Sequence, residues 1–216
     1  MKIKNPFFTL FLIGLSTFYA SMANGSSMSD ELRVINLKTC YKINPVGIED
    51  TKPVLSWQIQ SSGRGIVQKA YEIRTALSKN NLLNGPHTWK SGVVSSDQSL
   101  NIPYEGESLK SRQRIFWQVR VKNNRGNWSE WSEPACWEMG LLDDNEWKAS
   151  WIEPGLYEDE NEPNKAAYLR KEFKSRKQLV NAQLYVTAHG LYTIYLNGKR
   201  VSDHLFTPGW TSYNKR

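Results

Sequence analysis

Apolar and polar residues alternate along most of this 216-residue chain, and no long stretch keeps a helical period. The clearest example is IFWQVRV at residues 115–121, where one face of an extended chain carries only apolar side chains. Because successive side chains of a strand point to opposite faces, this period of two predicts half-buried β-strands. From about residue 30, turn residues recur roughly every eight to twelve positions, which is typical of a β-sandwich. The sequence therefore predicts an all-β fold.

The alternation also delimits individual strands. In the first part of the chain it predicts strands at 32–37, 53–59, 70–76 and 115–121. Trp57, Tyr71 and Trp117 fall on the inward faces of these strands. In the second part it predicts strands at 167–173, 182–188 and 191–196. The last of these leads into Asn197-Gly198, a dipeptide typical of a type I′ hairpin turn because both residues tolerate positive φ.

The chain is expected to contain three segments: a signal peptide at residues 1–23, a β-sandwich at 30–140 and a second β unit at 146–216. Lys2 and Lys4 precede an apolar run, and small residues follow it, which is the pattern of a secretory signal. The run is shorter than the roughly 20 apolar residues that a membrane-spanning helix needs. We therefore expect an exported protein, periplasmic or extracellular, without a membrane span.

The charge pattern argues against one class of partner. The formal net charge is +7, and removal of Lys2 and Lys4 with the signal peptide leaves +5. Basic residues are scattered singly or in pairs among other residues rather than in long blocks, which is the pattern of a solvated surface. Nucleic-acid-binding proteins concentrate positive charge on one face or stripe. We therefore expect no nucleic-acid partner.

Cys40 and Cys136 are the only cysteines. An exported chain meets an oxidising compartment, and the two residues lie near the two ends of the expected sandwich, so one possibility is a disulfide. Two buried free thiols are the other possibility. The sequence contains neither a CxxC pair nor a metal-ligand spacing, so we predict no bound metal and no cofactor.

Trp128, Ser129, Trp131 and Ser132 form a WSxWS box, which is associated with cytokine-receptor ectodomains. A receptor also needs a second cysteine-bearing module and a membrane span, and this sequence has neither. The strand and Asn/Gly turn before the box resemble the F strand and FG turn of a fibronectin type III domain. In that arrangement the indole rings stack on a guanidinium group of the neighbouring strand, and Arg120 is the nearest candidate. The box is therefore expected to be a structural staple.

Four long segments carry a more specific signal than the box. They are NPVGIEDTKPVLSWQIQSSGRGIVQKAYEIRTA (44–76), WKSGVVSSDQSLNIPYEG (89–106), RIFWQVRVKNNRGNWSEWSEPACWEMGLL (114–142) and LYVTAHGLYTIYLNGKRVSDHLFTPGWTSYNKR (184–216). In this order they resemble the amino-terminal region of secreted bacterial α-L-rhamnosidases, which are glycoside hydrolases. The resemblance implies a fibronectin type III-like β-sandwich, then a jelly-roll-like β domain, then an (α/α)6 barrel that carries the catalytic acids of an inverting hydrolysis.

Nothing in the sequence resembles that barrel, so no catalytic residue is assigned to this chain. Inverting glycosidases hold a general acid and a general base about 6.5–9.5 Å apart. The acids of this chain fall mostly in loops and on alternating strand faces. The second β unit also has too few strands to cover the faces of a sandwich, so we expect it to be incomplete. These observations predict a non-catalytic portion whose partner is the downstream catalytic barrel of a parent enzyme.

Trp210 and Tyr213 are the two candidate carbohydrate contacts. They lie in the loop TPGWTSY, where an aromatic ring can stack on a sugar of a rhamnose-containing glycan. Aromatic side chains of such loops also bury large areas against a neighbouring domain, and we favour that role. The alternatives to an enzyme portion are a free-standing carbohydrate-binding module and a protein-interaction module that uses the WSxWS surface.

Overall fold

β-Strands dominate the computed structural model, which describes residues 31–155, 166–175, 178–179, 182–209 and 211–212. The chain divides into two compact units, one ending at Ser150 and the other beginning at Trp151. The helices in the described ranges are α1 (Lys79–Asn84) and a 3-10 turn at Asp144–Glu146, and none is long and apolar enough to cross a membrane. The strands of the first unit are β1 (Leu32–Thr39), β2 (Val46–Ile48), β3 (Val54–Ser61), β4 (Gln68–Ala76), β5 (Trp89–Lys90), β6 (Ile102–Pro103), β7 (Arg114–Asn123) and β8 (Ala135–Met139).

The strands of the first unit form two sheets. A three-stranded sheet has the order β1-β3-β6, and a five-stranded sheet has the order β2-β8-β7-β4-β5. Neighbouring strands are antiparallel except β2 and β8, which are parallel. One hydrophobic core contains residues of both sheets. The all-β architecture predicted from the alternation is therefore confirmed.

Tryptophan side chains occupy the centre of this core. Trp57 on β3 is 1% exposed, and Trp117 on β7 and Trp137 on β8 are fully buried. Trp57 contacts Tyr71 edge-to-face at 5.1 Å between ring centroids, and its indole N–H donates to Gln68 Oε1 at 2.9 Å. A buried indole N–H without an acceptor destabilises the folded state, and Gln68 provides that acceptor for Trp57. The inward positions predicted for Trp57, Tyr71 and Trp117 are confirmed.

The long antiparallel ladder of β4 and β7 sets the outer face of the five-stranded sheet. Ile73 and Val119 lie opposite each other in this ladder and are fully buried. Since side chains alternate along a strand, the residues on either side of them point away from the core. These outward residues are Glu72 and Arg74 on β4 and Gln118 and Arg120 on β7.

Strand β1 lies at the edge of the three-stranded sheet and is irregular. Its register with β3 shifts between Ile35 and Lys38, and Asn36 has a φ of 53°. Asparagine adopts this left-handed conformation more readily than most residues. The irregularity therefore has the form of a β-bulge at the middle of an otherwise long edge strand.

The described part of the second unit contains a hairpin of β9 (Tyr195–Leu196) and β10 (Lys199–Arg200). Asn197 and Gly198 at its turn have φ values of 50° and 77°, so the predicted hairpin is confirmed. The strands predicted at 167–173 and 182–188 do not form within the described residues. Alternation alone does not make a strand, because its backbone groups need a paired neighbour.

Candidate functional site

The WSxWS segment runs beside β7 without forming a regular strand, and its serines replace the missing backbone bonds. The N–H of Ser129 donates to the carbonyl of Val121 at 2.8 Å, and the N–H of Val121 donates to Ser129 Oγ at 3.1 Å. Ser132 makes the same exchange with Val119, at 3.0 and 3.2 Å. Each hydroxyl accepts where a strand would offer a carbonyl. The buried N–H groups of Val119 and Val121 are therefore satisfied.

The two indole rings of the segment interleave with two arginines. Arg120 Cζ lies 4.9 Å from the Trp128 ring centroid and 4.8 Å from the Trp131 ring centroid. Arg74 Cζ lies 4.1 Å from the Trp131 ring centroid. All three distances fall within the roughly 6 Å range of cation–π contacts. We call the stack of Trp128, Arg120, Trp131 and Arg74 the tryptophan–arginine ladder.

Side chains of the same sheet hold both guanidinium groups in place. Glu72 Oε2 accepts from Nε and Nη2 of Arg120 at 2.9 and 2.6 Å. Gln118 Oε1 accepts from Nε and Nη2 of Arg74 at 3.1 and 2.7 Å. Gln118 in turn donates to the carbonyl of Ser132 at 2.6 Å. The orientation of each guanidinium plane is therefore set by hydrogen bonds as well as by ring contact.

The charges of the ladder do not balance. Arg120 forms an ion pair with Glu72, whereas Arg74 forms none with a described carboxylate. Burial lowers the pKa of Arg74 below its usual value, and the charge of Arg120 lowers it further, while Glu72 opposes the shift. A guanidinium nevertheless keeps its proton in proteins. The ladder therefore carries one positive charge that no described residue neutralises.

Sequence reasoning named Arg120 for this stack, and the structure places it between the two rings. The sequence reasoning missed Glu72, Arg74 and Gln118. The period of two puts Glu72 and Arg74 on one face of β4 and Gln118 and Arg120 on one face of β7, but only the pairing of the two strands brings them together. All four side chains therefore share the face onto which the indole rings fold.

Glu72 and Glu138 are two carboxylates that arginines fix on the five-stranded sheet. Glu138 has a side chain only 3% exposed, and its Oε2 accepts from Arg114 Nε at 2.7 Å. Glu72 lies opposite Arg120 in the sheet, and Glu138 lies opposite Arg114. The two arginines are six positions apart on β7, which corresponds to about 20 Å along the strand. These two acids are therefore too far apart to act as the general acid and base of an inverting glycosidase, which needs about 6.5–9.5 Å.

Cys40 and Cys136 are both free thiols and are half-buried. The two thiols are unpaired in the structure, and the possible disulfide between them stays a prediction. The N–H of Cys136 donates to Asn44 Oδ1 at 2.9 Å. Burial raises the pKa of the Cys136 thiol above its usual value, and this effect outweighs the lowering by Arg114; Glu138 adds a smaller rise.

A Cys40→Ala variant isolates this thiol and tests its environment. We expect Cys136 to react slowly with a chromogenic disulfide reagent at neutral pH, because the thiolate is the reactive form. The rate should rise with pH through a midpoint above the ordinary thiol pKa of about 8.5. In denaturant the same thiol should titrate near its ordinary pKa. A folded-state midpoint at or below the unfolded one would contradict this prediction.

Trp210 and Tyr213, the candidate carbohydrate contacts, lie outside the described residues. The described stretch before them is tied back to the second unit, since the N–H of Tyr192 donates to the carbonyl of Thr207 at 2.9 Å. The residues of the expected signal peptide also lie outside the described part. The roles assigned to these residues therefore remain predictions.

Comparison with known proteins connects both units to one group of enzymes. Residues 34–143 match the family described as "Rha78A-like, N-terminal immunoglobulin domain". Residues 177–216 match the family described as "Alpha-L-rhamnosidase N-terminal domain". The first family is described as immunoglobulin-like, where the sequence resemblance suggested fibronectin type III. The two folds share the sandwich architecture found here.

The match to curated relatives covers almost the whole of this chain but only a part of each relative. An α-L-rhamnosidase of Formosa agariphila is 38% identical over 214 residues, which cover 96% of this chain and 23% of that protein. An α-L-rhamnosidase of Alteromonas sp. (strain LOR) is 33% identical, and the match covers 96% of this chain and 24% of that protein. The chain thus spans about a quarter of the length of the curated relatives it matches.

Solved structures also match this chain over only a small part of their own length. The α-L-rhamnosidase of Streptomyces avermitilis, complexed with L-rhamnose, matches 56% of this chain and 12% of its own chain, at 43% identity and a TM-score of 0.54. The native enzyme of Aspergillus terreus matches 86% of this chain and 21% of its own, at 25% identity and a TM-score of 0.63. The chain therefore belongs to the family of Rha78A-like N-terminal immunoglobulin domains and corresponds to the amino-terminal region of an α-L-rhamnosidase.

Proposed function

We propose that this chain is the exported, non-catalytic amino-terminal portion of an α-L-rhamnosidase and serves as a rigid β scaffold for the catalytic part. The observation that carries the proposal is the coverage of the relatives. They match 96% of this chain, but the match takes up only 23% and 24% of their own lengths. About three quarters of each relative therefore lies outside the match, which leaves room for a separate catalytic domain.

Two further observations support a scaffold. Glu72 and Glu138 are held about 20 Å apart along the sheet, which does not suit a pair of catalytic acids. The tryptophan–arginine ladder fixes the outer face of the sheet through ring contacts and hydrogen bonds. A sheet fixed in this way deforms little, because its polar groups are satisfied by hydrogen bonds, and this suits a scaffold.

The parent enzyme of this proposal hydrolyses terminal α-L-rhamnosyl residues of glycans or plant glycosides, and its catalytic barrel is the partner of this chain. The location is periplasmic or extracellular, because residues 1–23 have the pattern of a secretory signal peptide. Trp210 and Tyr213 serve in docking against the rest of the enzyme or in contact with a rhamnose-containing glycan.

An activity assay tests the non-catalytic assignment. We expect the 216-residue chain to release no aryl group from a chromogenic aryl α-L-rhamnoside, because it corresponds to only about a quarter of the length of the α-L-rhamnosidases it matches. The Formosa agariphila relative, assayed in parallel, is the positive control. Release by this chain above the uncatalysed rate, surviving repeated purification, would refute the proposal.

An exchange experiment tests the scaffold role. If the β units support the catalytic part, deletion of the matched quarter from the Formosa agariphila relative should lower its thermal stability and its activity, because the surface they support is then exposed. Replacement of that quarter by residues 31–216 of this chain should restore both to a measurable extent. A deleted enzyme with unchanged melting temperature and turnover would show that the amino-terminal portion does not support the catalytic part.

A further inference from the structure

Two positive side chains lie directly opposite each other on the outer face of the five-stranded sheet. Arg74 on β4 pairs in register with Lys90 on β5. Directly opposed residues of an antiparallel pair have Cβ atoms about 4.5–5.5 Å apart, and like charges there are destabilising. Neither side chain forms an ion pair with any residue that the structure describes. Arg74 and Lys90 thus lie opposite each other in the sheet, and neither has an ion-pair partner among the described residues.

Contacts within the protein fix the orientation of the Arg74 guanidinium group before any ligand binds. One face lies on the Trp131 ring, and Nε and Nη2 donate to Gln118, which is itself 3% exposed and anchored on Ser132. The donors of Nη1 have no hydrogen-bond partner among the described residues, and Arg74 is half-exposed. A guanidinium held in one plane offers a fork that matches two oxygens of a carboxylate or sulfate.

The nearest carboxylates do not form an ion pair with Arg74 or Lys90. Glu72 is occupied by Arg120. Glu130 and Glu133 are exposed on the segment that lies beside β7, on the side away from β4, and neither forms an ion pair with a described residue. An oxyanion bound from solution would give Arg74 and Lys90 the ion-pair partner that these carboxylates do not supply.

We propose that Arg74 and Lys90 bind an oxyanion, a carboxylate or a sulfate ester, of an acidic polysaccharide. The proposal rests on the proposed function, since a glycan-degrading parent enzyme brings the chain to such polymers. The position lies on an open sheet face rather than in a deep pocket, so a long polymer can pass over it. Two cations suit one oxyanion at a time, whereas a nucleic acid needs a stripe of positive charge that this chain lacks.

Affinity electrophoresis and calorimetry of the full chain test the proposal at about 0.15 M salt, where weak long-range attraction is screened. The probes are polygalacturonate for the carboxylate, dextran sulfate for the sulfate ester, unmodified dextran and a single-stranded oligonucleotide. We expect one acidic polysaccharide to bind and neutral dextran not to bind. Arg74→Gln and Lys90→Gln should each weaken that binding about tenfold, since each removes a charge-assisted contact.

The controls separate a site from general charge attraction. Lys38→Gln, an exposed change of the same charge on the other sheet, should leave binding within about twofold. If Arg74→Gln perturbs the fold, as judged by circular dichroism, the exposed Lys90→Gln decides. Equal weakening by all three variants, equal binding of the oligonucleotide, or no binding of either acidic polymer would each overturn the proposal. The exchange experiment uses a neutral aryl rhamnoside, which offers no oxyanion to Arg74 or Lys90. A failure of the acidic polysaccharides to bind is therefore distinguishable from a failure of the exchanged enzyme to recover activity.

Discussion

Arg120→Ala is expected to lower the free energy of unfolding by about 2–3 kcal/mol. The substitution removes two ring contacts, each contributing about 0.5–1 kcal/mol. It also leaves the Glu72 carboxylate, whose side chain is 17% exposed, without its arginine partner. Removing one partner of a buried pair costs about 3–5 kcal/mol. The expected total is smaller because Arg120 is 35% exposed, so solvent takes up part of the interaction.

Urea denaturation followed by tryptophan fluorescence measures this loss, with Arg33→Ala as the matched control. Arg33 also pairs with a glutamate, Glu31, but the two side chains are 66% and 61% exposed. Exposed pairs of this kind contribute about 0.2–1 kcal/mol, so the control should change stability little. Equal losses for Arg33→Ala and Arg120→Ala would show that the ladder contributes nothing beyond surface charge.

Ser132→Ala is expected to lower the free energy of unfolding by about 1–3 kcal/mol. The substitution removes the oxygen that accepts from the N–H of Val119 at 3.2 Å. Val119 is fully buried in β7, so water does not reach the N–H as a replacement. A buried donor without an acceptor costs its full desolvation free energy.

Ser62→Ala is the control for this second prediction. Ser62 Oγ also accepts from a backbone N–H, that of Glu31 at 3.0 Å, but the bond lies at an exposed position. Water can replace the hydroxyl there, so the change in unfolding free energy should stay below about 0.5 kcal/mol. The comparison uses the same bond type, the same substitution and the same denaturation assay. A loss at Ser132 no larger than at Ser62 would remove the argument that the serines complete the β7 ladder.

The fold was predictable where local pattern and tertiary pairing agree. The alternation at residues 115–121 predicts the centre of β7, because that strand has paired neighbours on both sides. The parallel pairing of β2 with β8 was not predictable, since Val46 and Glu138 lie far apart in the sequence and three residues carry no period. Residues 182–188 alternate as well as β7 does, but they have no described partner strand. Period-two patterning therefore predicts the faces of a segment better than its pairing.

The part of the site that is close together along the sequence was predictable. The WSxWS spacing identifies Trp128 and Trp131, and its position after β7 points to Arg120 as a stacking partner. Arg74 was missed because it reaches the same ring from β4, a strand more than forty residues earlier in the chain. Only the register of β4 on β7 places Gln118 beside it. Contacts that depend on cross-strand register are not visible in a single sequence.

The irregular edge of the three-stranded sheet bears on how this protein behaves at high concentration. A straight edge strand of eight residues would offer its free N–H and carbonyl groups as a template for a strand of another molecule. The bulge at Asn36 interrupts that template halfway along β1, and Arg33 and Lys38 place like charges on both sides of the interruption. A second copy therefore meets neither a continuous row of bonding groups nor a neutral surface, and strand-to-strand polymerisation of this domain is disfavoured.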